Sequence, residues 1–446
     1  MTSTTRTGPD PAALGGLADL LADYPLPAEL LRVRVHLDPP VITDVAAEVG
    51  RVLRDSHVAD QVSHGEEVAI AVGSRGVANL PVLVRETAAY FTSLGARPFV
   101  FPAMGSHGGA TAEGQVQVLA DLGVTAQSVG VQIRSSMDVE RIGAVPGGPD
   151  LFCDAAAAKA QHIFLINRVK PHTDFHGELE SGLAKMCVIG LGKREGARRM
   201  HAGGGAAFRA FLTPAARVYE SAIPLLGGLA LVENALDDTA EIHVLDAAGI
   251  GAAPERALLD RARELIMRLP MWPLDVLVLQ RIGKDISGTG MDTNVVGRIS
   301  IPREPEPEEG PDPATIAVLD LTDATHGNAS GIGLANVTTA RAAAKVDWNA
   351  TYTNAITGGI FGAVRAALPI VAPSDDLALR IALNASACPP DQVRLMFATD
   401  TLHVSEVLVA PWLADEVNRA DDLELVERVP LTFADDGRMT SPWCLA

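Results

Sequence analysis

Residues 164–204 read FLINRVKPHTDFHGELESGLAKMCVIGLGKREGARRMHAGG. This stretch sets His172, His176, Lys185, Lys193 and His201 in a segment that is otherwise apolar and glycine-rich. A solvated surface would carry more charge and a plain core would exclude these ionisable groups, so the composition calls for chemistry. The apolar run 162–166 reads as a strand, and His172, after Pro171, falls in the loop at its carboxyl end, where open α/β sheets bind ligands. Ser181, Gly182 and Ala184 ahead of Lys185 permit close approach of a flat or phosphorylated group, with the lysine as charge or nucleophile. His201 ends the basic run that starts at Lys193. Gly203 to Gly205 after it place it near a helix terminus facing a cavity, where a neutral imidazole is a natural metal ligand.

Upstream, the pattern is β-α-β-α. Residues 67–72, EVAIAV, run into Gly73-Ser74-Arg75-Gly76 and then a helix from about Asn79 to Leu94. Residues 98–102 run into Met104-Gly105-Ser106-His107-Gly108-Gly109, followed by a helical stretch at 112–115 with Thr111 as its N-cap. Arg75 and His107 thus occupy equivalent loops at one edge of a parallel sheet. An arginine there suits bidentate recognition of a carboxylate or phosphate. Residues 125–166 continue the alternation. Residues 207–235 read as helices broken by Pro214 and Pro224, and 241–246 as a strand. His36 and His243, each on an alternating strand, read as structural.

A chain of 446 residues gives a prior of two or three domains. The net charge of −19 and pI near 5.0 argue against a nucleic-acid partner, which would need clustered Lys and Arg. Cys153, Cys187, Cys388 and Cys444 form no CxxC pair, so neither a zinc cluster nor a disulfide framework is signalled, and a reducing cytoplasm is the expected compartment. No leader-like apolar segment opens the chain and no run of about 18 apolar residues occurs, so neither secretion nor membrane spanning is expected. Residues 1–30 are expected to form a partly mobile arm. The motif Leu269-Pro270-Met271-Trp272-Pro273 marks a boundary. It divides an N-terminal domain, 1–270, from a C-terminal domain, 271–427, with the tail 428–446 packing back on the first. The expected fold is two α/β domains with mainly parallel sheets and an interdomain cleft; a homo-oligomer is left open. In the second domain a strand at 274–279 leads into a glycine-rich loop, 283–292, and residues 303–313 form an acidic, proline-rich surface loop. His326, in the turn after the strand at 316–321, either packs under that turn or lines the cleft.

At Gly73-Ser74-Arg75-Gly76, Gly105-Ser106-His107, Pro171-His172, Ser181-Gly182 leading to Lys185, and His201, the sequence resembles the nickel-pincer-nucleotide-dependent lactate racemases and their 2-hydroxyacid racemase and epimerase relatives. The resemblance implies a nickel-pincer nucleotide (pyridinium-3,5-bisthiocarboxylic acid mononucleotide nickel) held through Lys185 as a thioamide, with His201 ligating nickel. It implies His107 and His172 as paired acid/bases, Ser74, Gly105 and Ser181 as cofactor-binding positions, and Arg75 on the carboxylate of a small-molecule 2-hydroxyacid substrate. The span from His172 to Lys185 is longer than the family's, which keeps His176 as an alternative to His172. In the second domain the resemblance makes Lys284 and Asp292 the substrate-binding candidates. The loop keeps the family pattern only in part, with Gly290, Asp292 or Thr293 where the racemases present a Gln and a Lys, and this points to a 2-hydroxyacid other than lactate. The implied reaction is inversion at C2 by proton-coupled hydride transfer.

Three other readings compete. Gly190-Leu191-Gly192-Lys193-Arg194-Glu195-Gly196 imitates the glycine fingerprint of a nicotinamide-dependent hydroxyacid dehydrogenase, although no strand ending in an acidic residue follows about 20 residues on. His172 and His176, four apart, suggest a zinc hydrolase, although Pro171 and Gly177 bracket them and no HExxH occurs. A non-catalytic small-molecule binding protein would have no need for two histidines flanking a lysine.

Overall fold

The computed structural model describes residues 15–440 apart from positions 303, 308, 309 and 358. The chain divides into two compact units, one of residues 39–266 and one that joins the segment ending at Asp38 to everything from Met267 onward.

The 39–266 unit is built on a five-stranded sheet. Its order is Arg97–Pro102, Glu67–Val72, His162–Arg168, Leu225–Glu233, Thr239–Asp246; the first four strands run parallel and the last antiparallel. Alternation along the strands feeds two cores. Val68, Ile70, Val72, Phe164 and Ile166 point to one face, where Leu80, Leu83, Val84 and Phe91 of the helix Leu80–Ser93 cover them. Ala69, Ala71, Ile163 and Leu165 point to the other, covered by Leu183, Met186, Cys187, Phe208 and Tyr219. A parallel sheet covered on both faces leaves its carboxyl-end loops as the open edge.

The β-α-β-α reading of 67–115 matches, down to Thr111, whose hydroxyl accepts Gly114 N–H at 3.1 Å to cap a helix that runs Ala112–Asp121. Residues 207–235 need correction. A single helix, Gly204–Ala222, runs through Pro214, and Leu225–Glu233 is a strand. All nine residues of that strand are buried, and a strand covered on both faces is apolar throughout, so no alternation marks it off from a buried helix. Pro214 costs about 3 kcal/mol in a helix interior. Burial of Phe208, Leu212, Ala215 and Tyr219 along the same helix offsets it.

Residues 183–201 form a short helical turn, Leu183–Lys185, a π-helical turn, Met186–Leu191, and the helix Lys193–His201. The glycines of the dehydrogenase-like stretch lie inside this helical run, away from any strand-to-helix loop. A Cβ on Gly192 would meet Val188 O at 2.5 Å and Gly196 Cα at 2.8 Å, so these glycines permit close backbone packing. The loop 171–180 is not helical, so His172 and His176 do not share a helix face as the zinc reading requires.

The other unit carries an eight-stranded sheet in the order Ile370–Ala372, Val337–Thr339, Thr315–Val318, Val276–Leu279, Leu395–Ala398, Glu406–Val409, Glu29–Val35, Leu423–Pro430. The first five strands are parallel and the last three pair antiparallel. Here the 1–270 and 271–427 boundaries with a returning tail are corrected. Glu29–Val35 buries Leu30, Leu31 and Val33 between Glu406–Val409 and Leu423–Pro430, so the N-terminal segment and the tail complete one sheet. Part of the expected arm is the helix Gly15–Leu21; residues 1–14 and 441–446 lie outside the described residues.

Candidate active site

Three loops at the carboxyl ends of neighbouring parallel strands carry the site. Ser74 and Arg75 follow Glu67–Val72, His107 follows Arg97–Pro102, and His172 follows His162–Arg168. The helical run 183–201 adds Lys185 and His201.

Buried polar groups with no other task fix these loops. Gln115, fully buried, donates to Met104 O at 2.8 Å and Gly105 O at 3.1 Å and accepts from Lys193 Nζ at 3.2 Å. Lys193 also donates to Pro102 O at 2.6 Å and pairs with Asp154 at 3.2 Å. Lys193 is therefore structural, a strut under the His107 loop. Gly105 lets that loop touch the helix Lys193–His201, since a Cβ there would lie 2.8 Å from Ala197 Cβ. The backbones of Lys170 and Ser181 bond in both directions, at 3.1 and 3.2 Å, and close the loop that holds His172. The helical turn at Lys185 is capped by the buried Glu255, which accepts Ala184 N–H at 3.0 Å and Gly251 N–H at 2.7 Å. Gln115 and Glu255 were not legible as site residues, because their roles lie in backbone and side-chain partners, Met104 O, Lys193 and Ala184 N–H, that local pattern does not bring together.

An aromatic ladder joins the functional side chains. The His172 ring lies 4.5 Å from Phe175, Phe175 stacks on Phe208 at 5.0 Å, and His201 meets Phe208 edge-on at 5.2 Å. Lys185 Nζ sits over Phe208 at 5.5 Å. His172, Lys185 and His201 thus share one wall.

The electrostatics follow from this crowding. Burial holds His172 well below the usual imidazole range, with Lys185, His201 and Arg75 adding to the effect. Burial, then Arg75, brings His107 down to about 4. Lys185 is brought down to about 8 by burial, against the pull of Asp174 and with the repulsion of Arg75. Burial also lowers His201. Arg75 and His107 expose surface, yet both are partly desolvated by the atoms packed around them. The imidazoles are neutral at pH 7 while Arg75 and Lys185 stay cationic, so in an otherwise acidic protein this cluster favours an anion.

Hydrogen bonds assign the rings. His172 Nδ1 accepts Asp174 N–H at 3.0 Å, so the proton of the neutral ring lies on Nε2. His201 Nδ1 donates to Ala197 O at 2.7 Å, which leaves the Nε2 lone pair outward and available to a metal. His107 Nδ1 is bonded to Ser74 Oγ, so the nearest partner of Ser74 is this histidine. His176 Nδ1 is held by Glu180 at 3.2 Å.

The candidates at 283–292 belong to the other unit. Lys284 Nζ donates to Gly288 O at 2.5 Å, and Asp292 caps the turn Thr293–Val296 by accepting Asn294 N–H at 2.9 Å. His326 is exposed and in left-handed backbone conformation, so it does not pack under its turn. Among the described residues no group of three or more His, Cys, Asp and Glu is placed to hold a metal ion.

No family model and no curated protein matches the sequence. Solved structures do. The lactate racemase apoprotein from Thermoanaerobacterium thermosaccharolyticum aligns over 84% of this chain and 99% of its own, at 13% identity and a TM-score of 0.52. A structural-genomics protein from Thermotoga maritima aligns over 83% and 99%, at 10% identity and a TM-score of 0.49. The chain therefore has a lactate racemase-like α/β fold.

Proposed function

We propose that the protein is an isomerase that inverts the C2 centre of a 2-hydroxyacid other than lactate, with a nickel-pincer nucleotide in the recess formed by Arg75, His107, His172, Lys185 and His201. The observation that carries this is the shared wall: an amine brought down to about 8 and a histidine with an outward Nε2 lone pair meet the same Phe208 ring.

The donor set fits the group. Lys185 has a fraction of free amine at neutral pH, as acylation by a thiocarboxylate requires. His201 offers one neutral nitrogen. With no protein cluster to complete a coordination sphere among the described residues, the remaining ligands would come from the bound group itself. When bound, the nucleotide would supply a ring that takes up and returns the α-hydrogen as hydride.

The chain's own residues do the rest. Arg75 holds the substrate carboxylate, which orients the C2 hydrogen. His107, neutral and partnered by Ser74, accepts the hydroxyl proton from one enantiomer at Nε2, with Nδ1–H given to the serine. His172, with its proton on Nε2, donates to the oxygen of the 2-oxoacid on the other side and so yields the opposite enantiomer. An α-proton beside a carboxylate is too weakly acidic for these neutral imidazoles to remove, so their task is the hydroxyl proton. Lys284 and Asp292 remain candidates for substrate contact.

The test is a panel of 2-hydroxyacids and sugar acids, offered to protein produced with the cofactor-biosynthesis enzymes and followed by chiral separation. Interconversion of the C2 epimers of one member is expected. NAD reduction without inversion would select the dehydrogenase reading instead.

A further inference from the structure

Glu180 is among the most buried carboxylates in the protein, and every one of its partners lies in or against the loop that carries His172. Its Oε2 accepts the His172 backbone N–H. Its Oε1 accepts Gly177 N–H at 3.1 Å, His176 Nδ1 at 3.2 Å and Arg263 Nη2 at 2.7 Å. Arg263 in turn donates to Gly177 O at 2.9 Å. The residue is 2% exposed, so a carboxylate there is tolerated only because these donors satisfy it. Burial pushes its carboxyl up, but the bonds from His176, the His172 N–H and Arg263 outweigh burial and hold it below the usual carboxylate range.

The loop is also anchored by Phe175 and Leu179, which are buried in the core, and by the Arg256–Glu178 pair at 3.3 Å. It has no helix or strand between Lys170 and Ser181, whose backbone pair closes its neck. Two residues past the neck, the His172 N–H is held by Glu180, and the His172 ring by the Asp174 N–H and by its tilted contact with Phe175. The buried carboxylate of Glu180 thus holds the peptide from which the imidazole reaches the aromatic ladder.

We propose that Glu180, backed by Arg263, is a positioning residue for His172, and that His176 belongs to this clamp and takes no part in the reaction. The proposal rests on the reading that His172 acts on substrate. It also decides between the two histidines that the sequence left open: His176 spends its Nδ1 on Glu180, whereas His172 gives only its backbone to that residue and turns its ring to the wall shared with Lys185 and His201.

Glu180→Gln replaces one acceptor oxygen with a donor that faces donors, so the clamp opens while charge and volume elsewhere stay the same. In protein labelled with 15N-histidine, the wild-type His172 resonance should report a neutral ring protonated on Nε2 down to low pH. In folded Glu180→Gln it should titrate nearer the ordinary imidazole range and lose its single tautomer. This readout needs neither cofactor nor turnover, so it stands or falls apart from the racemase reading. In loaded enzyme, Glu180→Gln should lower turnover by about a hundredfold, the cost of misplacing a reacting group by about 1 Å. His176→Gln, which can still donate to Glu180, should lie within about threefold of wild type on the same scale. An unchanged His172 titration and tautomer in folded Glu180→Gln would overturn the proposal, as would a His176→Gln loss equal to that of His172→Gln. If Glu180→Gln does not fold, Arg263→Gln decides on the same resonance, with a smaller shift in the same direction supporting the clamp and none refuting it.

Discussion

The loops after Glu67–Val72, Arg97–Pro102 and His162–Arg168 and the loop at 283–292 occupy the same topological position, the carboxyl end of a parallel strand, in two separate sheets. They spend their polar residues differently. In the first set, buried residues behind the loops, Gln115, Glu180, Lys193 and Glu255, satisfy the backbone, so His107, His172, Lys185 and His201 present functional atoms outward. In the 283–292 loop Thr325 and Thr401 also accept backbone N–H, from Lys284 at 3.1 Å and Asp292 at 2.9 Å, but the loop's own side chains bond locally: Lys284 to Gly288 O, Thr289 to Met291 O at 2.7 Å, and Asp292 to the turn it caps. A chemically active loop needs a supporting layer that frees its side chains, and by that measure the first set is the stronger candidate for chemistry.

The comparison breaks most visibly at the paired imidazoles. His107→Gln or His172→Gln should each cut turnover by about 10²–10⁴-fold, the usual worth of a positioned acid or base, with the melting profile little changed. Losses below tenfold in both would remove them from the chemistry.

A second effect concerns pH. His107 falls from an ordinary 6.5 to about 4 in the folded chain. The unfolded chain binds the proton more readily between those values, so this group's contribution to stability is complete above about 6.5 and is lost as pH falls through about 4. Urea midpoints should decline over that window, and His107→Gln should flatten the decline. An identical slope in the variant would mean that the ring is as solvated as its exposed surface suggests.

The smallest effect sharpens the other side of the comparison. Asp292→Ala should cost about 1 kcal/mol of stability, the worth of an N-cap, and Asp292→Asn much less, as read by denaturant midpoints. If Asp292→Asn, which keeps the cap, nonetheless lowers turnover tenfold or more, the 283–292 loop takes part in catalysis as well as in its own folding.

Much of this was legible where a strand runs straight into a glycine-rich loop, because local pattern alone fixes such a join: Arg75, His107 and His172 fell at the expected sheet edge. Legibility failed where the deciding partner is remote. Leu225–Glu233 is apolar up to Glu233 because both its faces are covered, and nothing within the segment records that. Glu29–Val35 finds its partners at Glu406–Val409 and Leu423–Pro430, far beyond any local window. Lys193 stood in the histidine- and lysine-rich stretch as a candidate, but only the placement of Pro102 O, Gln115 and Asp154 shows it to be a strut. Glu180 and Glu255 gave no signal, since an acidic residue beside a loop usually faces water.

The central claim is that Lys185 and His201 face one bound organometallic ring. The most direct measurement is peptide mass spectrometry together with metal analysis on protein made alongside the cofactor-biosynthesis enzymes. The account predicts added mass on the peptide containing Lys185, nickel bound in proportion to that adduct, and loss of the adduct in Lys185→Ala. An unmodified Lys185 in protein that carries no nickel would contradict it.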